Sequence, residues 1–171
     1  MKQALVLVLF LVGMSPLSAL TDDTLVQFQG GIGVIPVSSG VGTAVTAEVV
    51  NRNIVRGVQP AGQIWVIDKL DAIVRTNGHI EVKGKGLILG GGNNAGRATG
   101  QSVFATLICE AVAPFNELNT TLTGVLLAPN GDFEIDDMLS PAPPFNCASP
   151  MLLIRNAGGL VWFAVGILKL G

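Results

Sequence analysis

Asn130, Asp132, Glu134 and Asp136 alternate along one short stretch, with Asp137 beside them. Side chains at every second position of a strand share a face. Their oxygens could gather around Ca²⁺, a hard cation that takes roughly six to eight of them. The spacing is not that of the helix-flanked Ca²⁺ loop, and the glycine that such a loop needs is missing at its place. Asp132, Glu134 and Asp136 therefore read first as a solvated strand face and only second as a metal cluster. No cofactor is expected.

His79 is the one histidine. A Ser-His-Asp triad would have to use it, yet no Gly-x-Ser-x-Gly elbow is present. A multi-histidine zinc or copper site is excluded by count. Two carboxylates suffice to hydrolyse a glycoside, and Asp68, Asp71, Glu81 and Glu110 are available, but nothing in the sequence marks a pair. No catalytic residue is assigned.

Gly90-Gly91-Gly92-Asn93-Asn94-Ala95 has the form G-x-G-x-x-A. The dinucleotide fingerprint works because a helix begins there and meets the pyrophosphate with its N-terminus. Here Gly96 to Gly100 follows, a poor helix start, so a loop between strands is expected. Trp65 and Trp162 lie in apolar runs and read as core rather than as sugar platforms. Arg56 and Arg155 are flanked by apolar residues and are expected to be paired at strand ends, with a small anionic site as the less common alternative.

The elements that must position these groups are strands. Leu70, Ala72 and Val74 alternate with polar neighbours, as do Ile80 and Val82, on either side of Thr76-Asn77-Gly78. A three-residue loop there opposes Val74 to Ile80 and Ala72 to Val82, which gives one apolar and one charged face. Gly78 sits where that loop needs positive φ. The same logic around Pro129-Asn130-Gly131 opposes Leu127 to Phe133 and Val125 to Ile135. Further strands are expected over Leu25 to Gln29, Gly33 to Val37, Thr43 to Val50, Ile64 to Ile67 and Ser102 to Ala113. A last apolar pair, Met151 to Ile154 and Leu160 to Leu168, is expected deep in the core. Ser38 to Gly42 reads as a loop. The fold class expected is all-β, an antiparallel, hairpin-rich sandwich of about eight strands.

Residues 1–19 have the form of a signal peptide: Lys2, an apolar run from Ala4 to Val12, then Ser15 to Ala19 as a small-residue cleavage region. Residues 20–171 then form a single domain. The chain has ten basic and twelve acidic residues, and loss of Lys2 moves its net charge from −2 to about −3. That balance argues against nucleic acid as a partner. No integral membrane segment is expected after the signal is removed, since a span needs about 20 apolar residues. Secretion, or residence in the cell envelope, is the expected localisation. Asn119-Thr120-Thr121 is a glycosylation sequon at Asn119, relevant only in a host that glycosylates.

The stretch Asn53 to Pro60 with Ile64-Trp65-Val66-Ile67, then Gly84 to Leu89, and the late cysteines resemble exported bacterial all-β proteins of unknown function. The resemblance spans roughly residues 30 to 168 and implies no catalytic residue. The leading expectation is a secreted, non-enzymatic domain that binds an extracellular or envelope partner or plays a structural role. The alternatives are a secreted carboxylate-based hydrolase of glycosidase type and a Ca²⁺-stabilised adhesion module.

Two cysteines in an exported chain point to one disulfide, Cys109 to Cys147. It would tie the proline-rich segment Ser140 to Cys147 to the sheet. Cys147→Ala is expected to lower the unfolding free energy by about 3–4 kcal/mol, measured by urea denaturation of the oxidised protein.

Overall fold

The computed structural model describes residues 23–41 and 49–170. The expected signal peptide lies outside them, as does most of the strand expected over Thr43 to Val50. The described chain is all-β. Its thirteen strands are β1 (Thr24–Gly33), β2 (Val37–Val41), β3 (Val49–Arg52), β4 (Trp65–Val66), β5 (Lys69–Arg75), β6 (His79–Lys85) and β7 (Ile88–Leu89), then β8 (Ser102–Ile108), β9 (Leu118–Asn119), β10 (Val125–Leu126), β11 (Phe133–Met138), β12 (Met151–Asn156) and β13 (Trp162–Leu168).

One antiparallel sheet carries the fold, in the order β10-β8-β12-β13-β1-β5-β6-β11, with β9 also on β8. It is curved nearly closed, so the two layers expected of a sandwich are halves of one barrel-like sheet. Its interior is filled by Phe28, Ala72, Val74, Ile80, Val82, Leu107, Ile135, Leu152 and Ile154, all buried.

The Gly78 hairpin has the expected register, with Val74 opposite Ile80 and Ala72 opposite Val82. Gly78 has φ +91°. The ascending arm is shorter than its alternation suggests. At Gly86 the backbone turns to φ +67°, and Leu87 rather than Ile88 becomes the buried residue. An L-residue resists that conformation, so glycine marks the point where the face switches. Beyond it, β7 leaves the sheet and pairs with β4.

The second hairpin is half right. The Pro129-Asn130-Gly131 loop closes as expected, with Ala128 N donating to Asp132 O and Gly131 N to Ala128 O. Its arms then part. β11 pairs with β6, and β10 pairs with β8. Local register could not reveal this, because Ile80 and Val82 offer β11 a longer apolar partner than the broken strand before it does. The two arms are thus the two edges of the main sheet. They meet again where Asn119 and Ser140 exchange N–H···O bonds at 3.0 and 2.8 Å. Between these two closures lies an open seam.

Other boundaries also moved. β1 runs through Gly30 and Gly31 to Gly33, past the expected end at Gln29. Ser38 to Val41, expected as loop, belongs to β2, which pairs with β3. β12 and β13 pair as expected, but only the first half of β13 is buried; Ile167 and Leu168 are exposed. β8 is buried on both faces except at Ser102.

Phe133 lies opposite Gly84 in the β6–β11 ladder, and its ring covers the place where a Cβ would be. The ring is itself buried and has little room to move. Gly84→Ala is therefore expected to destabilise the protein by about 1–3 kcal/mol in urea denaturation.

Candidate functional site

A trough follows the glycine-rich connection between β7 and β8. It consists of three adjoining clefts of about 190, 340 and 530 Å³. The first two share Gly62 and Gln63; the last two share Asn94 and Thr99. The connection itself is a succession of turns in which no helix begins, so the G-x-G-x-x-A run lacks the element that would bind a pyrophosphate. It is held at its base by Gly90 N to Ile64 O, Gly96 N to Leu89 O and Leu89 N to Arg97 O. Ala98 is buried and anchors the return.

The trough floor comes from the core. Trp65 stacks on Phe163 with ring centroids 4.0 Å apart, and both are buried where they border the cleft. Beside them a chain of amides runs up from the end of β12. Asn156 Oδ1 accepts from Gly159 N, Asn156 Nδ2 donates to Gln101 Oε1 at 2.6 Å, and Gln101 Nε2 donates to Thr99 O at 3.4 Å. Gln63, Asn94 and Thr99 complete the polar lining, and their side chains are exposed. Arg97 is the one ionisable side chain along the lining.

Thr99 has φ +55°. A β-branched residue in the left-handed region is an outlier that costs of order 1–3 kcal/mol. Gly100 beside it also has positive φ, so the chain carries a hydroxyl where glycine would sit without strain. No hydrogen bond within the described residues engages that hydroxyl.

The residues singled out from sequence fall elsewhere. Cys109 and Cys147 form the expected disulfide, with Cα atoms 4.7 Å apart. Next to it Arg56, in a tight turn at φ +47°, donates to the carbonyls of Ile108, Glu110 and Ser149 and to Ser149 Oγ. Burial lowers its pKa, with Glu110 opposing that shift. Arg155 is buried; it donates to Glu117 Oε2 at 2.6 Å and twice to Leu160 O, and lies 5.3 Å from the centre of the Phe104 ring. Both arginines thus tie loops to the sheet. Trp65 and Trp162 are core residues, as expected.

The acidic strand face is engaged across the β6–β11 ladder. Glu134 pairs with Lys83 at 3.2 Å and Asp136 with His79 at 2.6 Å, while Asp132 accepts from Gly86 N and from Asn130 Nδ2. Among the described residues no three such side chains gather as a metal ion would require. The carboxylates weighed for hydrolysis have other partners: Asp71 pairs with Lys69, Glu81 with Arg75, and Glu110 accepts twice from Asn116, while Asp68 sits beside Gly86. Asn119 is on β9, and its Oδ1 accepts from Thr106 Oγ1.

Sequence reading passed over Gln63, Thr99, Gln101 and Asn156, and met Asn94 only as part of the glycine-rich run. Glycines next to amides, Gly62-Gln63 and Gly92-Asn93-Asn94, were the available signal.

The fold and trough define an all-β domain with one disulfide and a cleft lined by apolar and uncharged polar groups, with Arg97 at one end. No family model, curated protein or solved structure matches this chain. Among the described residues no helix is long and apolar enough to cross a membrane.

The seam between β10 and β11 is a separate cleft of about 90 Å³ that includes Val125, Ile135 and Asp137. Asp137 Oδ2 accepts from Thr121 N at 2.8 Å and Oδ1 from Met138 N. The Thr121 bond chiefly holds the Asp137 pKa below its ordinary 3.8. A depressed carboxylate stabilises the fold above its unfolded pKa and loses that contribution as pH falls through the folded value. Asp137→Ala is thus expected to be less stable than wild type at pH 7. The gap should close below about pH 4, read from urea midpoints across pH.

Proposed function

We propose that this chain is an exported, non-catalytic binding module and that the trough along residues 90–101 is its ligand face. The observation that carries the reading is Thr99, held in strain at the junction of two clefts. Strain of this kind persists where the surroundings over-determine it, and it concentrates at ligand sites. Thr99 lies in a turn closed by Gln101 N donating to Ala98 O, and the Gln101 side chain donates to Thr99 O.

Two further features favour binding over catalysis. With Arg97 as the sole ionisable group, the lining offers hydrogen bonds rather than proton transfer at neutral pH. A disulfide in the fold and the leader-like residues 1–19 support export, because such bonds persist in oxidising compartments.

Amide chemical-shift mapping of the full mature chain tests the reading, with soluble polysaccharides, extended peptides and small polar solutes as probes. Shifts are expected to cluster at residues 62–63 and 91–101. Shifts confined to other surfaces, or none with any probe, would remove the reading. Thr99→Gly is expected to raise stability by about 1 kcal/mol in urea and to weaken binding, the pattern of a strained site kept for function.

A further inference from the structure

We infer that the ligand of the trough is a linear, electrically neutral oligosaccharide; the inference rests on the binding role proposed above. Three observations point to it. The first is the polar lining. Gln63, Asn94, Gln101 and Asn156 each carry a carboxamide, which both donates and accepts, and Thr99 adds a hydroxyl with the same double capacity. Sugar hydroxyls are donors and acceptors at once, so they can pair with the exposed groups of Gln63, Asn94 and Thr99. Asn156 is 7% exposed and gives one N–H to Gln101, which leaves it a second to donate.

The second observation is the bareness of the trough at Gly62 and Gly91. Neither has positive φ, and a Cβ built on either would meet nothing within 4 Å. Neither backbone conformation nor internal packing therefore asks for glycine there. Both residues border the trough. Absent side chains let a ligand approach the backbone closely, a recognised use of glycine.

The third is shape and charge. The clefts adjoin in a row through shared residues, which suits a chain of units rather than one compact molecule. A lone Arg97 at one end gives no charged track along the row. Val161 and, in the neighbouring cleft, Leu126 and Pro129 offer apolar contact to the C–H faces of sugar rings. A polypeptide bound by strand addition is disfavoured, since that mode draws on a free sheet edge and its main-chain ladder. The trough borders a loop, and its hydrogen-bonding groups are side-chain amides.

The test titrates the full mature protein with neutral linear oligomers of glucose, mannose and N-acetylglucosamine. Tryptophan fluorescence and calorimetry are the readouts. At least one oligomer is expected to bind, with an affinity little changed by added salt, because no ion pair forms. Gly62→Leu should keep the wild-type melting temperature, since its side chain enters open space, yet abolish binding by filling the trough. Asn94→Ala, on the exposed loop, should weaken binding about tenfold, the worth of one well-placed hydrogen bond. Binding that survives Gly62→Leu would overturn the inference, as would binding that collapses with salt. If only extended peptides bind, and Gly62→Leu abolishes that, the trough stands as a binding face and the sugar assignment falls. Failure of every probe would overturn both.

Discussion

An open antiparallel sheet ends in two rows of backbone N–H and C=O groups, and each row must be paired, covered or left to water. Here the sheet is long and curved enough that its two edges come together. They do so through a short turn at Ala128–Asp132 and a two-bond bridge at Asn119–Ser140. Those closures bring β10 and β11 to one seam although they lie at opposite ends of the strand order. The interior depends on this, because an unclosed sheet would expose Val103, Val125 and Ile135 along the gap.

Closure settles only the inner face. β8 and β12 are also buried on their outer side, which therefore requires cover. Loops supply it, and two arginines hold them. Arg56 binds carbonyls on both sides of the disulfide, and Arg155 joins Glu117 and Leu160 to the middle of the sheet. A guanidinium has five donors in a fixed fork, so one side chain can satisfy several carbonyls from separate loops. Cys109–Cys147 adds a covalent tie in the same region.

The trough follows from the same arrangement. Once Gly86 turns the chain away from β6, β7 pairs with β4, and the following turns must travel back to β8 across the outside of the barrel. That path lays amides and bare glycines beside the Trp65–Phe163 stack. A rigid sheet below a polar loop fixes positions that the loop alone would not hold.

Strand identity and the register of the Gly78 hairpin were legible in the residues themselves. Period-two alternation and a turn glycine are local, and they need no knowledge of distant chain. The disulfide was equally legible, since two cysteines allow one pairing. Partner choice beyond the turns was not. Val125 and Ile135 alternate as hairpin arms should, yet each finds a better ladder on a strand far along the chain. The acidic residues of β11 were visible as a cluster, but only the ladder with β6 decided that Lys83 and His79 would face them. The trough was hidden for the same reason. Gln63, Thr99 and Asn156 are far apart in sequence, and no local period encodes the long-range folding that brings them to one cleft.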